Sequence, residues 1–125
     1  MSKTILMTGA GLMALAVIIG AFGAHALKSK LTVDMLQVYK TGVEYHFYHA
    51  LGLLLIGIIS LQFSSGLINW AAIFITLGIV LFSGSLYVLA ITGIKWLGAI
   101  TPLGGVSFIV GWVLLLIAVW KKMPV

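Results

Sequence analysis

His25, His46 and His49 are the side chains here whose ordinary titration falls near neutral pH. Two of them sit in the run Glu44-Tyr45-His46-Phe47-Tyr48-His49. On a helix, His46 and His49 are three apart and can face one neighbour. Tyr45 lies four before His49 and Glu44 four before Tyr48, so a hydroxyl or carboxylate can fix an imidazole tautomer. An imidazole held that way, titrating near pH ~6.5, carries protons. Three imidazoles and a carboxylate also suffice chemically for a metal ion. The spacing alone does not specify one, so His25, His46 and His49 are weak metal candidates and no metal is expected. The plainer alternative is imidazoles satisfied by a carbonyl, a headgroup or water.

A second polar group comes from Phe82-Ser83-Gly84-Ser85-Leu86-Tyr87 and from Thr101. No base stands beside Ser83 or Ser85 in the sequence, so the serines read as a packing seam rather than as nucleophiles. There is no cysteine, which excludes disulfides, thiolate zinc and iron–sulfur sites. No haem attachment motif is present, and no cofactor is expected.

The elements that must position these residues are apolar. The 125 residues are 62% hydrophobic and 7% charged. A soluble domain carries about 25% charged residues, so no polar shell is available here. Crossing about 30 Å of hydrocarbon takes roughly 20 apolar residues, and four runs qualify, about 4–27, 44–62, 69–91 and 96–120. The predicted fold class is all-α: an integral membrane four-helix bundle forming a single membrane domain. Between the first two runs, Leu31, Met35, Val38 and Gly42 share one helical face, and Asp34, Gln37, Thr41 and Glu44 another. This pattern predicts a short amphipathic interfacial helix over about 32–42, capped by Thr32, with a bend at Gly42. Thr101-Pro102 reads as an N-cap followed by proline in the first helical position.

Ala16, Gly20 and Ala24 are spaced by four, a small-residue seam for helix packing. Gly84, Gly104, Gly105 and Gly111 are further packing candidates. Ala24-His25-Ala26 also matches an A-x-A cleavage site, but the preceding apolar run is long for a signal peptide. The net charge of +5 comes from seven lysines that flank the apolar runs. They fit headgroup anchoring and form no stripe for nucleic acid. Four lysines fall on one side and three on the other, which weights the termini only slightly toward the outer face.

Strict alternation of four spans puts the end of the first, the start of the second, the end of the third and the start of the fourth on one side. His25, Glu44, His46, His49, Ser83, Ser85, Tyr87, Lys95 and Thr101 all map there. The opposite half offers Gln62, Ser64, Ser65 and Asn69. Ionisable groups at membrane depth are costly and tend to face a bundle interior or a wet cavity.

Four blocks carry a resemblance: Gly20-Ala21-Phe22-Gly23-Ala24-His25-Ala26-Leu27, Tyr45-His46-Phe47-Tyr48-His49-Ala50-Leu51, Phe82-Ser83-Gly84-Ser85-Leu86-Tyr87 and Thr101-Pro102-Leu103-Gly104-Gly105. In order and spacing the chain resembles the small four-span membrane family of unknown function known as domain of unknown function 423. The resemblance implies a multi-pass protein of the bacterial cytoplasmic (inner) membrane, and brings no reaction or catalytic residue. A non-enzymatic protein is expected, acting as a homo-oligomer or with a membrane protein partner in the lipid bilayer. The alternatives are a small oligomeric transporter or proton-coupled permease using His25 and His49, and an accessory protein holding a lipid or quinone beside the 28–43 segment.

Overall fold

The computed structural model describes residues 1–123. Four helices long and apolar enough to cross a membrane run over Ser2–Leu27, Val33–Ser60, Gly66–Thr92 and Lys95–Lys122. They are called the first to fourth spans below. Connections are short because each span already supplies its own backbone hydrogen bonds, the condition for crossing hydrocarbon. Thr32 Oγ1 accepts from the Met35 amide and caps the second span, and Ser65 Oγ accepts from the Leu67 amide at the start of the third. The third span ends on Gly93, whose φ of +72° is the left-handed conformation that glycine adopts without a Cβ clash.

The region expected as a separate interfacial helix is instead continuous with the second span, over Val33–Ser60. The physical reason lies across the bundle. Tyr87 of the third span packs over Gly42, and the Ser83 hydroxyl donates to the Gly42 carbonyl at 2.7 Å. Gly42 is thereby buried as a packing contact rather than freed as a bend. A second correction concerns Thr101. It is the first residue of the fourth span's α-helix rather than its cap, and a 3₁₀ segment over Lys95–Ala99 leads into it.

The spans pack chiefly on their sequence neighbours: first on second, second on third, third on fourth. One cluster of buried apolar residues, including Leu53, Ile56, Ile75 and Phe108, fills the interior; a smaller one gathers Leu27, Tyr39 and Ala90 at the histidine end. Lipid tails are as apolar as these side chains, so close fit rather than hydrophobic transfer holds the spans together. Glycines supply much of that fit. The Phe82 backbone lies against Gly104, Phe108 against Gly78, and the Trp112 ring against Gly52.

The small-residue seam of the first span is shifted from its expected line. Ala16 is fully buried and Gly20 meets Val43 and Phe47, but Ala24 is exposed, and Gly23 meets Tyr39 in its place. At about 100° per residue, steps of four drift by about 40° each. Position 23 therefore faces the second span more squarely than position 24. Gly84 has open space around it and Gly105 only an ordinary contact with Phe82, whereas Gly111 packs on Ile75 as expected.

Candidate functional site

The polar residues of the histidine end separate into a closed cluster and an outer set. His46 and Tyr87 form the centre of the cluster. His46 Nδ1 and the Tyr87 hydroxyl are 2.8 Å apart, and His46 is 1% exposed. The Tyr87 ring also packs 5.3 Å, centroid to centroid, from Tyr39. Tyr39 in turn donates its hydroxyl to the Ile19 carbonyl of the first span. Three spans are thus joined through two tyrosines and one histidine. In either tautomer His46 Nε2 has no hydrogen-bond partner among the described residues.

His49 points elsewhere. Its Nδ1 donates to the Tyr45 carbonyl at 2.8 Å, one turn back on its own helix. The ring stacks on Phe108 at 3.5 Å and 13°, with Trp112 tilted beside it at 5.7 Å. The expected sharing of one neighbour by His46 and His49 therefore gives way to a division. His46 meets the third span and His49 the fourth.

Ser85 and Thr101 hydroxyls are 2.7 Å apart and join the third and fourth spans. Neither Ser83 nor Ser85 has an imidazole or carboxylate among its hydrogen-bond partners. Their hydroxyls go to carbonyls and to Thr101, which fits the packing seam read from the sequence. Glu44 and His25 are exposed. Glu44 is two residues from His46, about 200° around the helix, and faces away from the cluster. Among the described residues no three His, Asp or Glu side chains come close enough together to hold a metal. His25, His46 and His49 share an end of the molecule without sharing a site.

Tyr39 is a residue of this site that the sequence pattern does not mark. It falls in the stretch expected as a separate interfacial helix, which hides its register with the second span. In fact Tyr39, Gly42, His46, His49 and Leu53 are the buried line of one helix, at the three-and-four spacing that a core face requires. Ser107, which donates to the Phe74 carbonyl at 2.6 Å, carries no sequence signal beyond a four-residue spacing from Gly111.

The protein-family description "Protein of unknown function (DUF423)" matches residues 19–105. The chain belongs to the DUF423 family. A relative in Bacillus subtilis, the UPF0382 membrane protein YwdK, is 49% identical over 120 residues, covering 95% of this chain and 98% of its own. Two UPF0382 membrane proteins of staphylococci are similar. That of Staphylococcus haemolyticus is 52% identical over 82% of this chain and 83% of its own, and that of Staphylococcus saprophyticus 50% over 95% and 98%. No solved structure matches the chain. These names and the four apolar spans make this DUF423 protein a multi-pass membrane protein whose family carries no assigned molecular function. The DUF423 match takes in the whole histidine-end cluster, from Ile19 to Thr101.

The larger open spaces lie at the other end, while a smaller one of about 180 Å³ opens at the histidine end among Gly20, Gly23, Leu36, Tyr39, Lys40 and Glu44. A groove of about 270 Å³ runs between the first and third spans, and a polar cavity of about 260 Å³ adjoins it at the loop between the second and third. Met1 and Asn69 line both. This half holds more polar side chains than Gln62, Ser64, Ser65 and Asn69. Ser2, Thr4, Thr8, Ser60 and Thr76 line the two spaces as well. They are scattered singly through apolar runs, and only the approach of the first span to the third collects them.

Proposed function

We propose that the protein is a non-enzymatic membrane subunit, in the cytoplasmic membrane of a bacterium, that works by lateral association with a second copy of itself. One observation carries this reading. The second, third and fourth spans turn large side chains outward along their lengths, such as Leu55, Ile58, Leu77, Val80, Ile109 and Leu116. The first span also turns Leu15, Ile18 and Phe22 outward, but beside them it presents Ala10, Ala14, Ala21 and Ala24, on one line with Met7 and Val17. That line follows the three-and-four spacing at which small residues let membrane helices approach closely. Its opposite face is already used against the second span. The closed hydrogen bonding of the His46–Tyr87 and Ser85–Thr101 pairs supports a scaffold role, since these groups are committed to joining spans.

The test is association in a bilayer. Single-molecule photobleaching at rising protein-to-lipid ratio is expected to show dimers. Ala14→Leu, which adds bulk at the centre of the line, should shift them to monomers, while Leu116→Ala on the fourth span should not. A wild-type chain that stays monomeric at every ratio sinks the reading.

A further inference from the structure

We infer that the groove between the first and third spans, at the end bearing the chain termini, binds one anionic phospholipid from the adjoining leaflet. This goes beyond the association reading and uses a different face of the first span.

The first observation is unmet hydrogen bonding. Serine and threonine hydroxyls of the other spans are occupied, whereas the exposed Tyr45 and Tyr48 hydroxyls make no hydrogen bond among the described residues. Thr41, Thr76 and Thr92 donate to carbonyls one turn back, and Ser83, Ser85 and Ser107 bond across spans or to the chain. Thr8 and Asn69, both lining the groove and both half-buried, make no side-chain hydrogen bond among the described residues. In hydrocarbon an unpaired hydroxyl or carboxamide is costly. A partner entering the groove removes that cost.

The second observation is shape. The polar cavity, bordered by Ser2, Ser60 and Ser64, opens where the headgroup layer would lie, beside the loop after the second span. The groove continues from Asn69 to Leu77 along Leu53 and Ile73 and becomes apolar. Eight residues of helix rise about 12 Å, close to one leaflet of a hydrocarbon core about 30 Å thick. A polar mouth leading into a leaflet-deep apolar slot fits a headgroup with an acyl chain below it.

The third observation is charge. Among the described residues this end carries Lys3, Lys121 and Lys122 and no Asp or Glu side chain. Both acidic residues, Asp34 and Glu44, belong to the histidine end. Lysines beside the headgroup layer attract anionic lipid. In the assignment, the phosphate sits at the mouth bordered by Ser2, Ser60 and Ser64, the glycerol ester oxygens meet Asn69 and Thr8, and the chain lies on Ile73.

The experiment is native mass spectrometry of the intact protein after exchange into mixed phosphatidylglycerol and phosphatidylcholine. The wild type should retain one phosphatidylglycerol. Thr8→Phe, which fills the slot, should cut retention about tenfold. Asn69→Leu should weaken it less, and Ile109→Phe on the outward face of the fourth span should leave it unchanged. Excess inorganic phosphate should not displace the lipid. Displacement by phosphate alone overturns the acyl-chain contact. Equal retention of the two lipids overturns the charge argument, and retention untouched by Thr8→Phe overturns the site. A phosphatidylglycerol with a diazirine on its acyl chain, used on the wild type, covers the case of a variant that fails to fold. Labels should fall within 4–8 and 69–77, and labelling confined to the outward faces of the other spans refutes the assignment.

Discussion

The two ends of the bundle handle polar groups in opposite ways. The histidine end holds every histidine and both acidic residues of the chain, yet its central hydroxyls and His46 Nδ1 are paired across helices, with aromatic rings packed around them. Tyr87 lies over Gly42 and Phe82 against Gly104, and His49 is stacked on Phe108. The terminal end has no acidic side chain and few obvious polar landmarks, yet it carries the larger groove, lined by Thr8 and Asn69 side chains that make no hydrogen bond among the described residues. Buried imidazole and tyrosine rings therefore mark where the spans are locked, and plain hydroxyls line the larger space that remains. The underlying difference is the partner of each glycine. At the histidine end glycines mostly receive aromatic rings, which are broad enough to close the gap between spans. At the terminal end Gly9 and Gly57 receive Leu54 and Leu6, narrower side chains that leave room beside them.

This contrast can be broken most forcefully at Gly104. A Cβ there would fall 2.7 Å from the Phe82 Cα, and backbone cannot swing aside. Gly104→Val is expected to destabilise the bundle by about 3 kcal/mol, the upper part of the overpacking range, measured by unfolding in mixed detergent. A change below about 1 kcal/mol would mean that the third and fourth spans are not locked as described.

Tyr87→Phe comes next. Among the described residues it strips the one hydrogen-bond partner from the buried His46 ring and should cost about 1–2 kcal/mol. A double-mutant cycle with His46→Leu should show positive coupling, because the second change removes the group left unpaired. Independent, additive losses would separate the two side chains and dissolve the proposed centre of the cluster.

Ser85→Ala should cost less, about 0.6 kcal/mol, the average for a hydrogen bond between membrane helices. Thr101→Val in the same background should add little, since the bond is already gone. The smallest effect is expected at His25. His25→Ala should change stability by less than about 0.5 kcal/mol, because the side chain is exposed. A loss comparable to that of Tyr87→Phe would bring His25 into the locked end and blur the contrast between inner and outer polar groups.

Much of the fold was legible in the sequence, for reasons specific to a membrane. Seven lysines at the ends of apolar runs and a shortage of other charges force four spanning helices, since no other open backbone satisfies itself in hydrocarbon. Alternation of the spans then assigns His25, His46, His49, Ser85 and Thr101 to a common end without any coordinates. The pairing of Ser85 with Thr101 across 16 residues realises that assignment. The interfacial helix failed because an amphipathic pattern and a glycine are equally consistent with a bend and with a buried helix face. Tyr87 and Ser83, 41 residues or more downstream of Gly42, decide between them.

By itself the sequence determined the environment, the number of spans and the side of the membrane each polar residue shares with the others. Hydropathy and helix length act locally along the chain, so they can be read one run at a time. Only the tertiary structure decided which of those polar residues meet, that His46 and His49 turn to different spans, that His25 and Glu44 face outward, and that the groove between the first and third spans lies at the end without histidines. These are matters of rotation about each helix axis and of which side chain fills which gap. In a medium where every apolar face is equally welcome to lipid, rotation is set by the fit of aromatic rings against glycines on another span, and that fit exists only once both spans are in place.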